Sequence, residues 1–262
     1  MEYHLFNKDC FEFAKSDEFI KATKGKVVIV VTDPPFNVGY HYDTYKDKVP
    51  EDIYYKSLAQ LFYDCGSIFV VIHYPESIYK IASATGRVPN RVVSWVYNSN
   101  TPRQHRDIAF FGLEPAFSQM TQPYKNPNDK RIAERIAEGH EGSALYDWWY
   151  CDQVKNISDE KYEHPCQMPI QIMENIVGII PNRDEIVVYD PFMGTCTTGL
   201  ACKRLGIDFI GTEIDEKYFK ISQDRMFDDD SKCVISATIG WGIRSVLLVV
   251  LLTIIILGIT SK

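Results

Sequence analysis

The run Val27–Thr32 (VVIVVT) constrains this chain more than any other feature. Its residues are β-branched and apolar with no polar alternation, so the strand they form must be covered on both faces. Such a strand belongs in a parallel sheet between layers of helices. Similar runs recur at Ile68–His73 (IFVVIH) and Arg91–Asn98 (RVVSWVYN), with shorter strand signals at Tyr3–Asn7, Glu185–Tyr189 and Asp208–Thr212. Helical spacing marks Gln167–Ile180, stopped by Pro181–Asn182, then Thr197–Leu205, closed by Gly206, and Glu216–Met226. Strands alternating with helices predict an α/β fold with a mostly parallel sheet.

The composition is that of an ordinary globular chain: 262 residues, 45% hydrophobic and 24% charged. A net charge of −7 argues against a protein that coats DNA indiscriminately, although charge can still be concentrated locally. The cysteines (Cys10, Cys65, Cys151, Cys166, Cys196, Cys202, Cys233) are scattered, with no C-x-x-C spacing. They predict free thiols in a reducing interior and no zinc ribbon, and no metal site is expected. The opening Met1–His4 lacks a basic region followed by an apolar core, so no cleaved leader is expected. The expected location is the cell interior, on the cytoplasmic side or open to the nucleoid.

Two stretches depart from the body. Arg87–Arg135 holds eight Lys and Arg against four acids, and Thr121–Asp129 within it is rich in Pro, Asn and Gln. An inserted loop region over about residues 99–150 is expected, with Arg103, Gln104 and Arg106 as its donor-rich run. After Asp228–Asp230, the seventeen residues Ser245–Ser261 carry no charge. As a helix they would reach about 26 Å, close to a bilayer core of roughly 30 Å. Residues 231–262 are therefore read as an apolar tail and candidate membrane anchor, with a transmembrane helix over 245–261, and residues 1–230 as the main domain.

Three motifs carry chemistry. Asp33–Pro34–Pro35–Phe36 directly follows the VVIVVT strand, and ligands of open α/β sheets bind beyond the carboxyl ends of strands. The prolines hold the chain extended and contribute no N–H. A carboxylate, an outward carbonyl and an aromatic ring suit a planar substrate bearing an exocyclic amine. Asp190–Pro191–Phe192–Met193–Gly194–Thr195–Cys196–Thr197 follows the strand Glu185–Tyr189 and opens a helix, a turn where backbone N–H groups meet a cofactor. It matches neither G-x-G-x-x-G nor the P-loop, which disfavours a dinucleotide dehydrogenase and an NTPase. Glu213, at the tip of the following strand, is placed to accept from ribose hydroxyls.

In this order, the motifs resemble those of the S-adenosylmethionine-dependent amino-group DNA methyltransferases in their permuted, beta-class arrangement. There a D/N/S-P-P-[YFW] motif precedes D-P-F-x-G-[ST]-G-[TS]. Asn7–Lys8–Asp9–Cys10 looks like that family's opening G-D-C, and His164–Pro165–Cys166–Gln167–Met168–Pro169 like its H-P-x-x-K-P. The similarity spans roughly residues 1–228. It implies a seven-stranded Rossmann-like methyltransferase sheet with a small inserted target-recognition region. It also implies S-adenosylmethionine held by Asp9, Asp190, Phe192, Gly194, Thr195, Thr197 and Glu213. The partner implied is double-stranded DNA, with a base extruded into the Asp33–Phe36 pocket and read by Arg103, Gln104 and Arg106, and with a cognate restriction enzyme as a further partner. Asp-Pro-Pro goes with adenine N6 and Ser-Pro-Pro with cytosine N4, so adenine is favoured.

Cys196 stands where the family's second glycine does, and carries strain if φ is positive there. Met168 replaces the usual lysine. Pro165–Cys166–Gln167 also resembles the nucleophile motif of cytosine-C5 enzymes, but there the motif follows the cofactor loop, and here it precedes it. The other readings weighed are a catalytically weak nucleic-acid-binding regulator, and a methyltransferase of RNA or protein amides. Tyr40, Tyr42 and Tyr45 are candidates to close over the base.

Overall fold

The computed structural model describes residues 1–39, 47–155, 158, 160–182 and 185–226. The chain divides into two compact units, Met1–Ser222 and Gln223–Lys262, and only residues 223–226 of the second are described. The candidate tail at 231–262 and Tyr40, Tyr42 and Tyr45 thus lie outside the described residues. The expected transmembrane helix is corrected: among the described residues no helix is long and apolar enough to cross a membrane.

The elements run β1 (Tyr3–Phe6), α1 (Cys10–Phe13), α2 (Asp17–Ala22), β2 (Val27–Thr32), α3 (Glu51–Asp64), β3 (Phe69–His73), α4 (Pro75–Thr85), β4 (Arg91–Val96) and β5 (His105–Phe111). There follow β6 (Thr121–Gln122), α5 (Lys130–Ala137), β7 (Ser143–Ala144), β8 (Trp148–Tyr150), α6 (Ile170–Gly178), β9 (Ile186–Asp190), α7 (Thr197–Leu205) and β10 (Asp208–Thr212). Residues 216–226 are helical.

Among the described residues one sheet takes eight strands in the order β1-β10-β9-β2-β3-β5-β4-β8, where seven were expected. The additional strand is β8, a short edge segment parallel to β4. Every neighbouring pair is parallel except the two made by β5, which runs antiparallel to β3 and to β4. β5 lies inside the stretch expected to be an insert, and its Ile108–Phe111 are fully buried. β6 and β7 pair separately as a small ribbon.

The continuous apolar runs are buried on both sides, as their pattern requires. On one face Phe69, Val71, Phe111 and Tyr189 pack with Tyr54, Leu58 and Phe62 of α3 and with Ile78 and Ile81 of α4. Phe62, Phe69 and Phe111 stack in sequence, with ring centres 4.4 Å apart at each step. The alternate residues Val70, Ile72, Phe110, Val188 and Phe209 are fully buried on the opposite side. Parallel pairing brings the carboxyl ends of β1, β10, β9, β2 and β3 to one edge of the sheet. Because β5 runs the other way, its first residues reach that same edge.

Candidate active site

At this edge a cavity of about 260 Å³ is lined both by Asp33–Phe36 and by Asp190–Thr195, two loops far apart in the chain. Asp9, Thr197, Glu213, Arg106 and His164 also line it. The structure therefore brings the candidate donor and acceptor motifs into one cleft.

The donor side is held by hydrogen bonds within the protein. Thr32 Oγ1 and the Phe192 N–H donate to Asp190 Oδ1 at 2.8 and 3.1 Å, and Thr198 Oγ1 donates to Oδ2 at 2.5 Å. Asp190 thus ties the end of β2 to the start of α7, and burial pushes its pKa up to about 6 despite these donors. Glu213 accepts from Gly194 N–H at 3.0 Å and from Asp215 N–H at 2.8 Å. Burial raises Glu213 to about 7. Asn7 Nδ2 donates to the Glu213 carbonyl at 2.8 Å, joining the tip of β10 to the loop after β1. Asp9 on that loop caps α1, accepting from Phe11 and Glu12 N–H through Oδ1 alone. Cys196 has φ 65° and ψ 38°, so a residue with a Cβ occupies the left-handed region where the family pattern has glycine.

The acceptor side is different. Asp33 Oδ2 lies 3.5 Å from Arg106 Nη1, and the two side chains are 14% and 12% exposed. Among the described residues, the buried Asp33 Oδ1 has no hydrogen-bond partner. Burial raises the Asp33 pKa to about 7; Arg106 opposes the rise and Asp190 adds to it. Phe36 stacks on His73 with centres 4.2 Å apart and planes at 20°. The Tyr74 N–H donates to His73 Nδ1 at 2.8 Å, so the ring proton sits on Nε2, which faces Tyr54 Oη at 3.2 Å. Tyr54 O–H in turn donates to the Pro35 carbonyl at 2.5 Å. Burial and then Arg106 push His73 down to about 3, so it is neutral. At the far end of the loop, Asn37 N–H and Val38 N–H donate to Asp47 at 2.7 and 3.2 Å.

The recognition candidates separate. Arg106, at the start of β5, sits inside the cavity, with Nη1 3.7 Å from Met168 Sδ. Its guanidinium therefore brings positive charge beside the position where the family pattern has lysine. Arg103 pairs with Glu76 and covers the Tyr74 ring at 4.0 Å. Gln104 braces its own loop, donating to the Ser99 carbonyl at 2.9 Å and accepting from Ser99 N–H at 3.0 Å. From the sequence, a lone His73 reads as a satisfied structural residue, and nothing points to Tyr54; the place of His73 at the end of the IFVVIH strand is the signal that could have found it.

These residues fit S-adenosylmethionine. Glu213 presents acceptors for hydroxyls at the tip of β10, and Phe11 and Phe192 give the cavity apolar walls. Gly194, at φ 51°, keeps open a space where a Cβ would come within 3.2 Å of His164 Nε2.

Comparison with known proteins agrees. The N6/N4 family model, described as DNA methylase, matches residues 27–224. The type II methyltransferase M.HpaI of Haemophilus parainfluenzae is 26% identical over 228 residues, which are 79% of this chain and 71% of that protein. The DNA adenine methyltransferase YhdJ of Escherichia coli K12 is 27% identical over 241 residues, 80% of this chain and 79% of that one. In fold, the M1.HpyAVI–SAM complex superposes with a TM-score of 0.52 at 23% identity, covering 85% of this chain and 99% of that chain. Given the matched family and a cleft that joins both motifs, the chain belongs to the N6/N4 DNA methylases, and is an S-adenosylmethionine-dependent methyltransferase acting on exocyclic amino groups of DNA.

Proposed function

We propose that the chain methylates N6 of adenine at a specific sequence in double-stranded DNA. The observation that carries this reading is the buried, unpartnered Asp33 Oδ1, sharing one cavity with the cofactor loop. A target amine lies inside the base stack, so the nucleotide must be extruded to reach this cleft. Phe36 is the ring on which the base stacks. Asp33 Oδ1 accepts one amine N–H and the Pro34 carbonyl the other, which turns the nitrogen lone pair toward the donor loop. S-adenosylmethionine, when bound, supplies an electrophilic sulfonium methyl. With a pKa near 7, Asp33 can also take the proton that the methylated amine releases. His73 and Tyr54 hold the Pro-Pro segment still while this happens. Asp9, Thr195, Thr197 and Glu213 hold the cofactor, and Asp190 shapes the loop that receives it.

Adenine is preferred because Asp-Pro-Pro is the form associated with N6 transfer, and because YhdJ, a relative along most of its length, is named an adenine enzyme. Cytosine N4 offers the same amine to the same acceptors. M.HpaI is a type II methyltransferase, which supports a companion restriction enzyme that reads the same sequence. Arg103, which covers the cavity-lining Tyr74, and the basic stretch around α5 are the candidates for gripping DNA. The test is tritiated methyl transfer onto unmethylated genomic DNA, followed by modification mapping on long reads. N6-methyladenine at one short motif is expected. N4-methylcytosine would move the assignment to the second base, and no DNA label would end it.

A further inference from the structure

The base pocket is already filled by part of the protein. The β3–β5 register sets His73 opposite Asp107, so Arg106, one residue along, projects to the other side of the sheet. Phe36 lies between the two. Its ring is stacked on the His73 imidazole at 4.2 Å and covered by the Arg106 guanidinium at 4.7 Å. Tyr74 closes one edge, with centres 4.8 Å apart and planes at 71°. A base that stacks on Phe36 has to displace one of these groups. His73 is fully buried, and both ring nitrogens are engaged, by Tyr74 N–H and by Tyr54 Oη.

Arg106 is the group that can move. It is dry but incompletely bonded. Among the described residues its buried Nε has no partner, the approach to Asp33 is a long 3.5 Å, and the contact to Met168 is to a weakly accepting sulfur. The guanidinium also hydrogen-bonds the Tyr97 side chain and is otherwise held by the faces of Phe36 and Trp95, at 4.7 and 5.2 Å. Unmet N–H groups in a dry site cost free energy that is recovered when they reach water or phosphate. The guanidinium also copies the reacting edge of the substrate, being a flat delocalised group that directs N–H donors at the Asp33 carboxylate.

We propose that Arg106 is a place-holder for the target base: its guanidinium occupies the seat over Phe36 and is swung out by the extruded nucleotide. This rests on reading Asp33–Phe36 as the base pocket. The base amine then gives Asp33 Oδ1 the donor it lacks as Arg106 withdraws from Oδ2, so the carboxylate keeps an N–H partner through the exchange. A base that presents a carbonyl at the same edge cannot make that exchange, so the place-holder also discriminates against thymine and guanine.

The experiment compares wild type with Arg106→Met, whose stem fills the same groove, using tritiated transfer onto unmethylated genomic DNA. S-adenosylmethionine binding serves as the check that the donor side is intact. A filled seat lowers the apparent affinity for the base by the fraction of open pocket, so the variant's KM for DNA, measured at about pH 9 and above the acid limb of both proteins, should fall roughly 3–10-fold. Methylguanidine added to Arg106→Met should raise that KM again, competing with DNA, while leaving wild type nearly unaffected. If kcat/KM instead drops about tenfold and methylguanidine restores it, Arg106 is a partner of the bound base and the place-holder is refuted. Should Arg106→Met lose cofactor binding, Arg106→Lys, which keeps the charge but not the flat plate, carries the same comparison with an intermediate KM expected. A wild-type enzyme that labels no DNA would instead remove the underlying pocket assignment, and the two failures are therefore distinguishable.

Discussion

Asp190 and Asp33 are carboxylates at the ends of neighbouring strands, β9 and β2, the first buried and the second nearly so, yet their oxygens are treated oppositely. Each oxygen of Asp190 receives a donor from the protein. Asp33 keeps one oxygen with no partner and the other at a long distance from a cation. The donor half of the cleft is finished in advance, while the acceptor half is completed only when something with N–H groups arrives. Fixed dipoles that need no rearrangement suit a cofactor bound the same way in every cycle. An unmet acceptor suits a substrate that has to be pulled from a duplex, because its capture relieves a cost the empty site carries.

The largest effect that would break this contrast is Asp33→Ala. Methyl transfer should fall by about 10³-fold or more, the range for losing both an acceptor and a base. S-adenosylmethionine binding, measured by calorimetry, should stay within a few-fold, since Asp33 belongs to the other half. Equal losses in both measurements would mean that the halves are not separable. Next comes Thr198→Val, which deprives Asp190 Oδ2 of its donor in a dry site. It should cost about 1–3 kcal/mol of stability by denaturant melt and weaken cofactor binding, while the pH dependence of transfer stays that of wild type.

How far this contrast was visible in the sequence differs between the halves for the same reason. The donor half is local: a strand, a small-residue turn and a helix start lie within Ile186–Leu205, and their spacing predicts them. The strand ends that carry Asp33 and Glu213 were legible too, because runs such as VVIVVT have few other ways to be buried. The acceptor half is assembled across the sheet. Nothing near Phe36 in the chain indicates that His73 from β3 and Arg106 from β5 come to clasp its ring. The HRDIAFF segment opens with charged residues and reads as loop; only its place between β3 and β4 makes it a strand. Arg106 was consequently expected among DNA readers on an insert and is found in the pocket. β8 is too short, at three residues, to announce itself against the aromatic stretch around it.

Acidity offers a finer way to sharpen the comparison. Asp33, Asp190 and Glu213 are raised by burial to about 7, 6 and 7 from ordinary values of 3.8, 3.8 and 4.5. The folded protein therefore binds more protons than the unfolded chain between those limits. The stability these groups confer is fully present below about pH 4 and is lost as pH rises through 6 to 7. Without cofactor, the melting temperature of wild type should gain more between pH 8 and pH 5.5 than that of Asp33→Asn/Glu213→Gln. Identical gains would place the protons elsewhere. With Asp33 in its proposed role as carboxylate acceptor, transfer activity should move the other way. Its acid limb should fall near pH 7 in wild type, and in Arg106→Met, with the opposing cation gone and Asp190 still facing it, the limb should shift to higher pH.

The smallest effect lies in the finished half, at its one visible imperfection. Cys196 holds a left-handed backbone at φ 65° with its side chain fully buried. A Cβ at Gly199 would come within 2.3 Å of Cys196 Sγ, so the thiol is packed against the first turn of α7. Two terms then oppose each other: the strain of a Cβ in this region, about 1–2 kcal/mol, and the packing of the sulfur. Comparing Cys196→Gly with Cys196→Ala separates them, because both lose the sulfur but only glycine loses the strain. Cys196→Gly should be the more stable of the two by about 1 kcal/mol in a denaturant melt, even after the greater freedom of glycine in the unfolded chain is counted. S-adenosylmethionine affinity should follow the same order, since the Gly194–Thr197 turn relaxes around it. If alanine matched glycine, the turn would not be strained, and the thiol would be there for its packing alone.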